Sequence, residues 1–118
     1  MDTLTLKTSE TDGVFIVHVT GYVSLDTVGN IQKVVDDYLA RGGRAVVLDL
    51  SECKVINSHG ITASMTLTMR VTDDFKGNVV IFTLDPVKVS VFELVGIFPI
   101  ASLARNLPDA IRLARIGP

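Results

Sequence analysis

Apolar residues along this chain follow two rhythms, one alternating or unbroken over short stretches and one returning at helical spacing. Leu4-Thr5-Leu6-Lys7 alternates. After a turn at Asp12-Gly13, Val14-Phe15-Ile16-Val17-His18-Val19-Thr20 continues with β-branched and aromatic residues, which predicts a β-hairpin. From Asp26 to Arg41 the apolar positions Val28, Ile31, Val35, Tyr38 and Leu39 recur as on one face of a helix, with Asp26 placed to cap its start and Gly42-Gly43 to end it. Ala45-Val46-Val47-Leu48-Asp49-Leu50 is almost continuously apolar, the pattern of a strand covered on both faces, and Ser51 to Lys54 reads as the loop leaving it. Asn78 to Thr83 predicts another buried strand. Asp85-Pro86 then opens a helix reaching about Val95, with Gly96 as its stop. A short Ile97 to Ala101 segment leads to a last helix from Leu107-Pro108 to Arg115.

Ile61 to Thr72 is ambiguous by pattern alone. Its apolar residues alternate strictly with Thr62, Ser64, Thr66, Thr68, Arg70 and Thr72, as on a strand. Twelve residues exceed the usual strand length of roughly 3–10, and the two flanking buried strands, if parallel, need a crossover element between them. A helix is therefore expected, with Thr62, Thr66, Arg70 and Asp73 along one exposed stripe. The order of elements is that of an α/β domain, and 118 residues suffice for one core, so residues 1–118 are read as a single domain.

Composition narrows the functional classes. The chain is 47% hydrophobic with a formal net charge of −2 and no run of like charges, which gives no footing for nucleic acid or an anionic membrane as partner. Its apolar runs are short, and Met1-Asp2-Thr3 lacks the basic and apolar regions of a signal peptide, so the expected location is the cytoplasm. The lone Cys53 suits a reducing compartment. Two histidines about forty residues apart and one cysteine show no metal-ligand spacing, and no cofactor is expected. Arg41-Gly42-Gly43-Arg44 lacks the spacing and terminal Lys-Ser/Thr of a phosphate loop and reads as a helix stop.

The chemistry concentrates at Val55-Ile56-Asn57-Ser58-His59-Gly60-Ile61-Thr62, where a buried strand gives way to the next element. Open α/β sheets carry their sites at such strand ends. If a helix opens near Ile61, Ser58 lies at its N-terminal edge, where unpaired N–H groups and the positive end of the macrodipole favour an anion. Ser58 could simply cap that helix. It could also accept a phosphate, gaining roughly −1.5 to −2 charges, and an adjacent exposed His59 would then favour its imidazolium form. As a nucleophile Ser58 is poorly served. The sequence lacks the Gly-x-Ser-x-Gly elbow, His59 is adjacent, and His18 lies in a predicted strand, so the chain does not read as an enzyme.

The words Val46-Val47-Leu48-Asp49-Leu50 and Ile56-Asn57-Ser58-His59-Gly60-Ile61, with Val19-Thr20-Gly21-Tyr22-Val23-Ser24, Leu84-Asp85-Pro86-Val87-Lys88 and Phe92-Glu93-Leu94-Val95-Gly96-Ile97-Phe98, resemble the STAS domain, specifically the bacterial anti-sigma factor antagonists (anti-anti-sigma factors). The resemblance covers nearly the whole chain and implies a mixed β-sheet flanked by about four helices. It also implies partner switching: the unmodified protein binds an anti-sigma factor that is also a serine kinase and so frees a sigma factor for transcription. Phosphorylation of the serine matching Ser58 ends that binding until a phosphatase reverses it. Three positions depart from the family pattern: Asn57 stands for the usual Asp, Ser24 for a common strand-end Asp, and His59 for a small residue. Around Ser58, the expected partner-binding residues are Asn57, His59 and Gly60, the stripe Thr62, Thr66 and Arg70, and the loop of Gly21, Tyr22 and Ser24. The alternative is a STAS module that binds partners without being phosphorylated, as in transporters, lipid-transport complexes or larger signalling assemblies. Nucleotide binding in the same crevice is a third class, for which the sequence offers no phosphate loop.

Overall fold

The computed structural model describes residues 3–116, a mixed five-stranded sheet with helices on both faces. In chain order the elements are β1 (Leu4–Thr11), β2 (Val14–Val23), α1 (Val28–Ala40), β3 (Ala45–Ile56), α2 (Ser58–Met69), β4 (Asn78–Phe82), α3 (Pro86–Leu94), β5 (Ser102–Ala104) and α4 (Leu107–Ile116). The strands lie side by side in sequence order, β1 antiparallel to β2 and the other neighbours parallel. Asp12 and Gly13 both take positive φ, which closes the β1–β2 hairpin with the twist such turns require.

Alternation along the strands divides the core in two. Phe15, Val17 and Val19 of β2 and Val46, Leu48 and Leu50 of β3 face α1, α2 and α3, where they meet Ile31, Val35, Leu67 and Phe92. The intervening Val14, Ile16 and Val47 face α4, which offers only small buried residues, Ala110 and Ala114, and so approaches the sheet closely. Tyr38 locks the helix-to-strand return after α1. Its ring stacks on Phe15 at 4.6 Å, and its hydroxyl donates to the Gly13 carbonyl and accepts from the Arg44 and Ala45 N–H groups. Gly42, at φ +95°, ends the helix, as expected of the Arg41–Arg44 segment.

The alternating segment from Ile61 is helical. The helix makes its hydroxyls cheap to carry: Ser64 Oγ donates to the Gly60 carbonyl, Thr66 Oγ1 to that of Thr62 and Thr72 Oγ1 to that of Thr68, each one turn back. The helix ends in a π-helical turn over Arg70–Asp74. Four boundaries correct the sequence reading. Ser51 to Lys54 is strand, because β2 pairs with β3 as far as Ile56 through two register shifts, and this carries β3 beyond its apolar run. The residue ahead of α1 is Thr27 rather than Asp26; the Thr27 hydroxyl accepts from the Ser24 N–H and donates to the Tyr22 carbonyl, which fixes the loop before the helix. Helix α2 opens at Ser58, three residues before Ile61. The three-residue β5, too short to show a pattern, went unpredicted.

Candidate functional site

The end of β3 is held by Asn57. Its N–H donates to the Val23 carbonyl at 3.0 Å, its Oδ1 accepts the Gly60 N–H at 3.0 Å, and its carbonyl accepts the Ile61 N–H at 2.9 Å. The N-cap is therefore Asn57, which removes the reading of Ser58 as the cap. Ser58 becomes the first residue of the helix, exposed, beside an exposed His59. With the cap filled by its neighbour, the Ser58 hydroxyl makes no hydrogen bond among the described residues, and it stands where the helix dipole stabilises an anion by about 0.3–1 kcal/mol.

Gly60 lets this turn close. A Cβ there would lie 2.8 Å from Ile56 Cγ1, 2.8 Å from Val23 Cγ1 and 2.9 Å from the Val23 carbonyl oxygen. Gly21 is constrained differently, at φ +98°, with the Thr3 carbonyl occupying the place of a Cβ. The structure brings the two candidate segments together, since Val23 pairs with Ile56 at the ends of β2 and β3. Their side chains differ in access. Tyr22 is half-buried, whereas Ser24 is buried at 5% exposure, so Ser24 shapes the loop through Thr27 and presents no side chain to a partner. Thr62 and Thr66 are exposed along α2 as expected. Arg70 is also exposed but is committed sideways, pairing with Asp36 of α1 at 3.3 Å and lying 5.7 Å from the Phe75 ring.

A feature the sequence reading passed over lies next to Ser58. An apolar groove of 380 Å³ runs between the start of α2 and α3, lined by Ile56, Asn57, Ser58, Ile61, Thr62, Val91 and Val95. Through Ile56 and Val91 it continues into a 230 Å³ depression reaching Val55 and Val87. Val87 and Leu94 on α3 are 68% and 87% exposed. Val87, Val91, Leu94 and Val95 fall at i, i+4, i+7 and i+8, so projecting this segment onto a helix would have revealed an outward apolar stripe opposite the buried Phe92. Lys88 fastens the helix beneath it. Its buried ammonium donates to Asp85 Oδ2 at 2.8 Å and to the Lys54 carbonyl at 3.3 Å, while Asp85 Oδ1 caps α3 by accepting the Val87 N–H. The Lys88 hydrogen bond, followed by that of Val87, holds the Asp85 carboxyl below its ordinary value. Among the described residues no cluster of three or more His, Cys, Asp or Glu is placed to hold a metal, and no helix is long and apolar enough to cross a membrane.

This sheet order, with a serine exposed at the strand-to-helix junction after β3, defines an α/β module of the STAS type. The STAS domain model matches residues 5–110, and the chain belongs to that family. No curated protein sequence matches it. Among solved structures it is similar to an anti-sigma factor antagonist from Mycobacterium paratuberculosis, with 22% identity, a TM-score of 0.83, and coverage of 97% of this chain and 96% of that one. It is also similar to the anti-sigma factor antagonist SpoIIAA in its unphosphorylated form (14% identity, TM-score 0.73, 98% and 100% coverage). The same holds for the Bacillus cell fate determinant SpoIIAA in the phosphorylated form (17% identity, TM-score 0.70, 98% and 100% coverage). At these identities the likeness establishes the fold.

Proposed function

We propose that this chain is an anti-sigma factor antagonist, a partner-switching protein gated by phosphorylation of Ser58. The observation that carries the reading is the division of labour between Asn57 and Ser58: the asparagine caps α2, and the serine, exposed at the first helical position, is free for modification. That the same fold has been solved for SpoIIAA in both unphosphorylated and phosphorylated forms supports the view that it accommodates such a phosphate. The partner is an anti-sigma factor with serine kinase activity, and a serine phosphatase resets the switch. Residues 1–118 act as one unit, in the cytoplasm, with no cofactor and no catalytic step of their own at Ser58.

The binding surface comprises Ser58, His59, Thr62 and Thr66, the adjoining Tyr22 loop, and the apolar groove walled by Val91 and Val95. Burying one such aliphatic side chain contributes about 1.5–3 kcal/mol, so the groove supplies affinity and the serine supplies the gate. A phosphate brings roughly −1.5 to −2 charges to the rim of that groove, where a packed apolar partner would have to desolvate it.

The test is intact-mass and fragment-ion analysis after incubation with the host's anti-sigma kinases and ATP, wild type beside Ser58→Ala, with binding measured in parallel. One phosphate on Ser58, absent from the alanine variant, is expected. Ser58→Asp should weaken partner binding about tenfold or more while Ser58→Ala retains it. Stable complex formation with no modification, and equal binding by both variants, would instead identify a STAS module that works without phosphorylation.

A further inference from the structure

Across the β1–β2 hairpin and the adjoining β3, on the face of the sheet that α4 covers, three side chains the switch does not use form a chain of hydrogen bonds. Ser9 Oγ lies 3.2 Å from His18 Nε2, and His18 Nδ1 lies 2.7 Å from Asp49 Oδ2. Asp49 is fixed in turn, since its other oxygen accepts both the N–H and the hydroxyl of Ser51 at 3.0 and 2.6 Å. A carboxylate can only accept here, so His18 Nδ1 carries a proton, and in the neutral ring Nε2 is left as the acceptor for the Ser9 hydroxyl. Access is graded in the order a reaction needs: Ser9 is exposed, the His18 side chain is 33% exposed and that of Asp49 10%. Lys7, directly opposite His18 in the antiparallel register and two residues from Ser9, places a cation on the same face.

We propose that Ser9 is an activated nucleophile that accepts an acyl group from small activated acyl esters or thioesters, with His18 as its general base and Asp49 as the residue that positions the ring. Nucleophile, base and orienting carboxylate stand within hydrogen-bond reach in that sequence, the arrangement that activates serine on unrelated folds. In the step, Ser9 Oγ attacks the acyl carbonyl as its proton passes to His18 Nε2. The bond to the alkoxide, phenolate or thiolate leaving group then breaks, and the imidazolium returns the proton to that group, leaving an O-acyl serine and a neutral ring. With no buried donor pair beside Ser9 among the described residues, the acceptor suits substrates with good leaving groups.

Ser58 provides an internal standard, because it too is exposed and has no imidazole hydrogen-bonded to its hydroxyl among the described residues. The folded chain is treated with p-nitrophenyl acetate, and acetylation of each serine is followed by peptide mass spectrometry. A positioned base accelerates such a step about 10²–10⁴-fold, so Ser9 is expected to acetylate at least about 100-fold faster than Ser58. His18→Gln should abolish that excess, and Ser9→Ala should remove the product. Asp49→Asn keeps the side chain's shape, but with its oxygen held by the two Ser51 donors its amide nitrogen would donate to His18 Nδ1 and leave the proton on Nε2, so the Ser9 rate should fall at least tenfold while the Ser58 rate stays constant. Ser9→Ala changes an exposed side chain and His18→Gln a partly exposed one, so the result does not depend on how Asp49→Asn folds. Equal acetylation of Ser9 and Ser58, or a Ser9 rate unchanged by His18→Gln, would overturn the proposal and leave the three residues as a tie between β1, β2 and β3.

Discussion

Gly60→Ala is the sharpest probe of the junction that presents Ser58. The added methyl would enter at 2.8–2.9 Å from Ile56 Cγ1, Val23 Cγ1 and the Val23 carbonyl oxygen, where ordinary contacts begin at 3.4 Å, so each must retreat by roughly 0.5 Å. The carbonyl is the costly neighbour, since it also accepts the Asn57 N–H at 3.0 Å and thereby anchors the end of β3. Forcing an extra carbon into a packed site costs about 1–3 kcal/mol, against a helix-propensity gain of at most about 1 kcal/mol for replacing glycine by alanine. With three contacts at once, one of them backbone, the steric cost falls in the upper part of that range, roughly 2–3 kcal/mol, and the net loss is about 1–2 kcal/mol. At about 4 °C per kcal/mol for a chain of this size, Tm should fall by about 4–8 °C. Gly29→Ala is the matched control: Gly29 lies in the first turn of α1 with nothing within 4 Å of its would-be Cβ, so the same substitution there should raise Tm slightly. Thermal unfolding followed by far-UV circular dichroism reads both. A Gly60→Ala variant at or above the wild-type Tm would refute the crowding argument, and with it the claim that glycine is what allows Asn57 to cap α2 so close to β2. Gly60→Val, bulkier still, should lose more.

Thr68 Oγ1 is buried with no hydrogen-bond partner among the described residues, so the isosteric Thr68→Val should leave stability unchanged or raise it by up to about 1 kcal/mol in chemical denaturation; a clear loss would mean the hydroxyl is satisfied. Burial pushes the Cys53 thiol above its ordinary value of 9.0, an effect the nearby Lys88 cation only partly offsets. Because the thiolate is the reactive form, iodoacetamide at pH 8 should alkylate the folded chain at least tenfold more slowly than the urea-unfolded chain, and equal rates would contradict that. Lys88 and the Val87 N–H depress the Asp85 carboxyl below its ordinary value of 3.8, so its contribution is fully present above that pH and is lost as pH falls through the lowered folded value. The Tm gap between wild type and Asp85→Asn should therefore be widest near neutral pH and close under acid, and a pH-independent gap would show that the charge is not what matters.

How far the fold could be read from the residues depended on whether local pattern and tertiary need agreed. At α1 they did, with Ile31, Val35, Tyr38 and Leu39 at helical spacing and buried as a set. At Ile61 to Thr72 they conflicted: the alternation spoke for a strand, and the need to cross between parallel β3 and β4 decided for helix. The extension of β3 through Ser51–Lys54 was illegible because only Cys53 of the four is buried and pairing with β2 carries the strand on, and backbone hydrogen bonds leave no mark on hydrophobicity. The cap at Asn57 was hidden by a one-residue ambiguity, since asparagine and serine both cap well. Only the direction in which the chain leaves β3 assigns that role to the first and exposure to the second.

That assignment bears on the departure from the family pattern. An aspartate at position 57 would cap as well as asparagine, and would add a favourable dipole interaction of about 0.3–1 kcal/mol. It would also set a fixed anion one residue from Ser58, and two charges about 4 Å apart near a protein surface interact by up to about 4 kcal/mol. Asn57 keeps the whole geometric benefit, since the Gly60 N–H is bonded at 3.0 Å, while removing that repulsion from a phosphorylated Ser58. If Ser58 is phosphorylated as proposed, the neutral cap would favour retaining the phosphate, and the surface beside it is apolar, with Ile56, Val91 and Val95 lining the groove. Under the proposed function, recognition would rest on apolar packing against α3, and Ser58, which lines that groove, would be the position from which a single modification disrupts it.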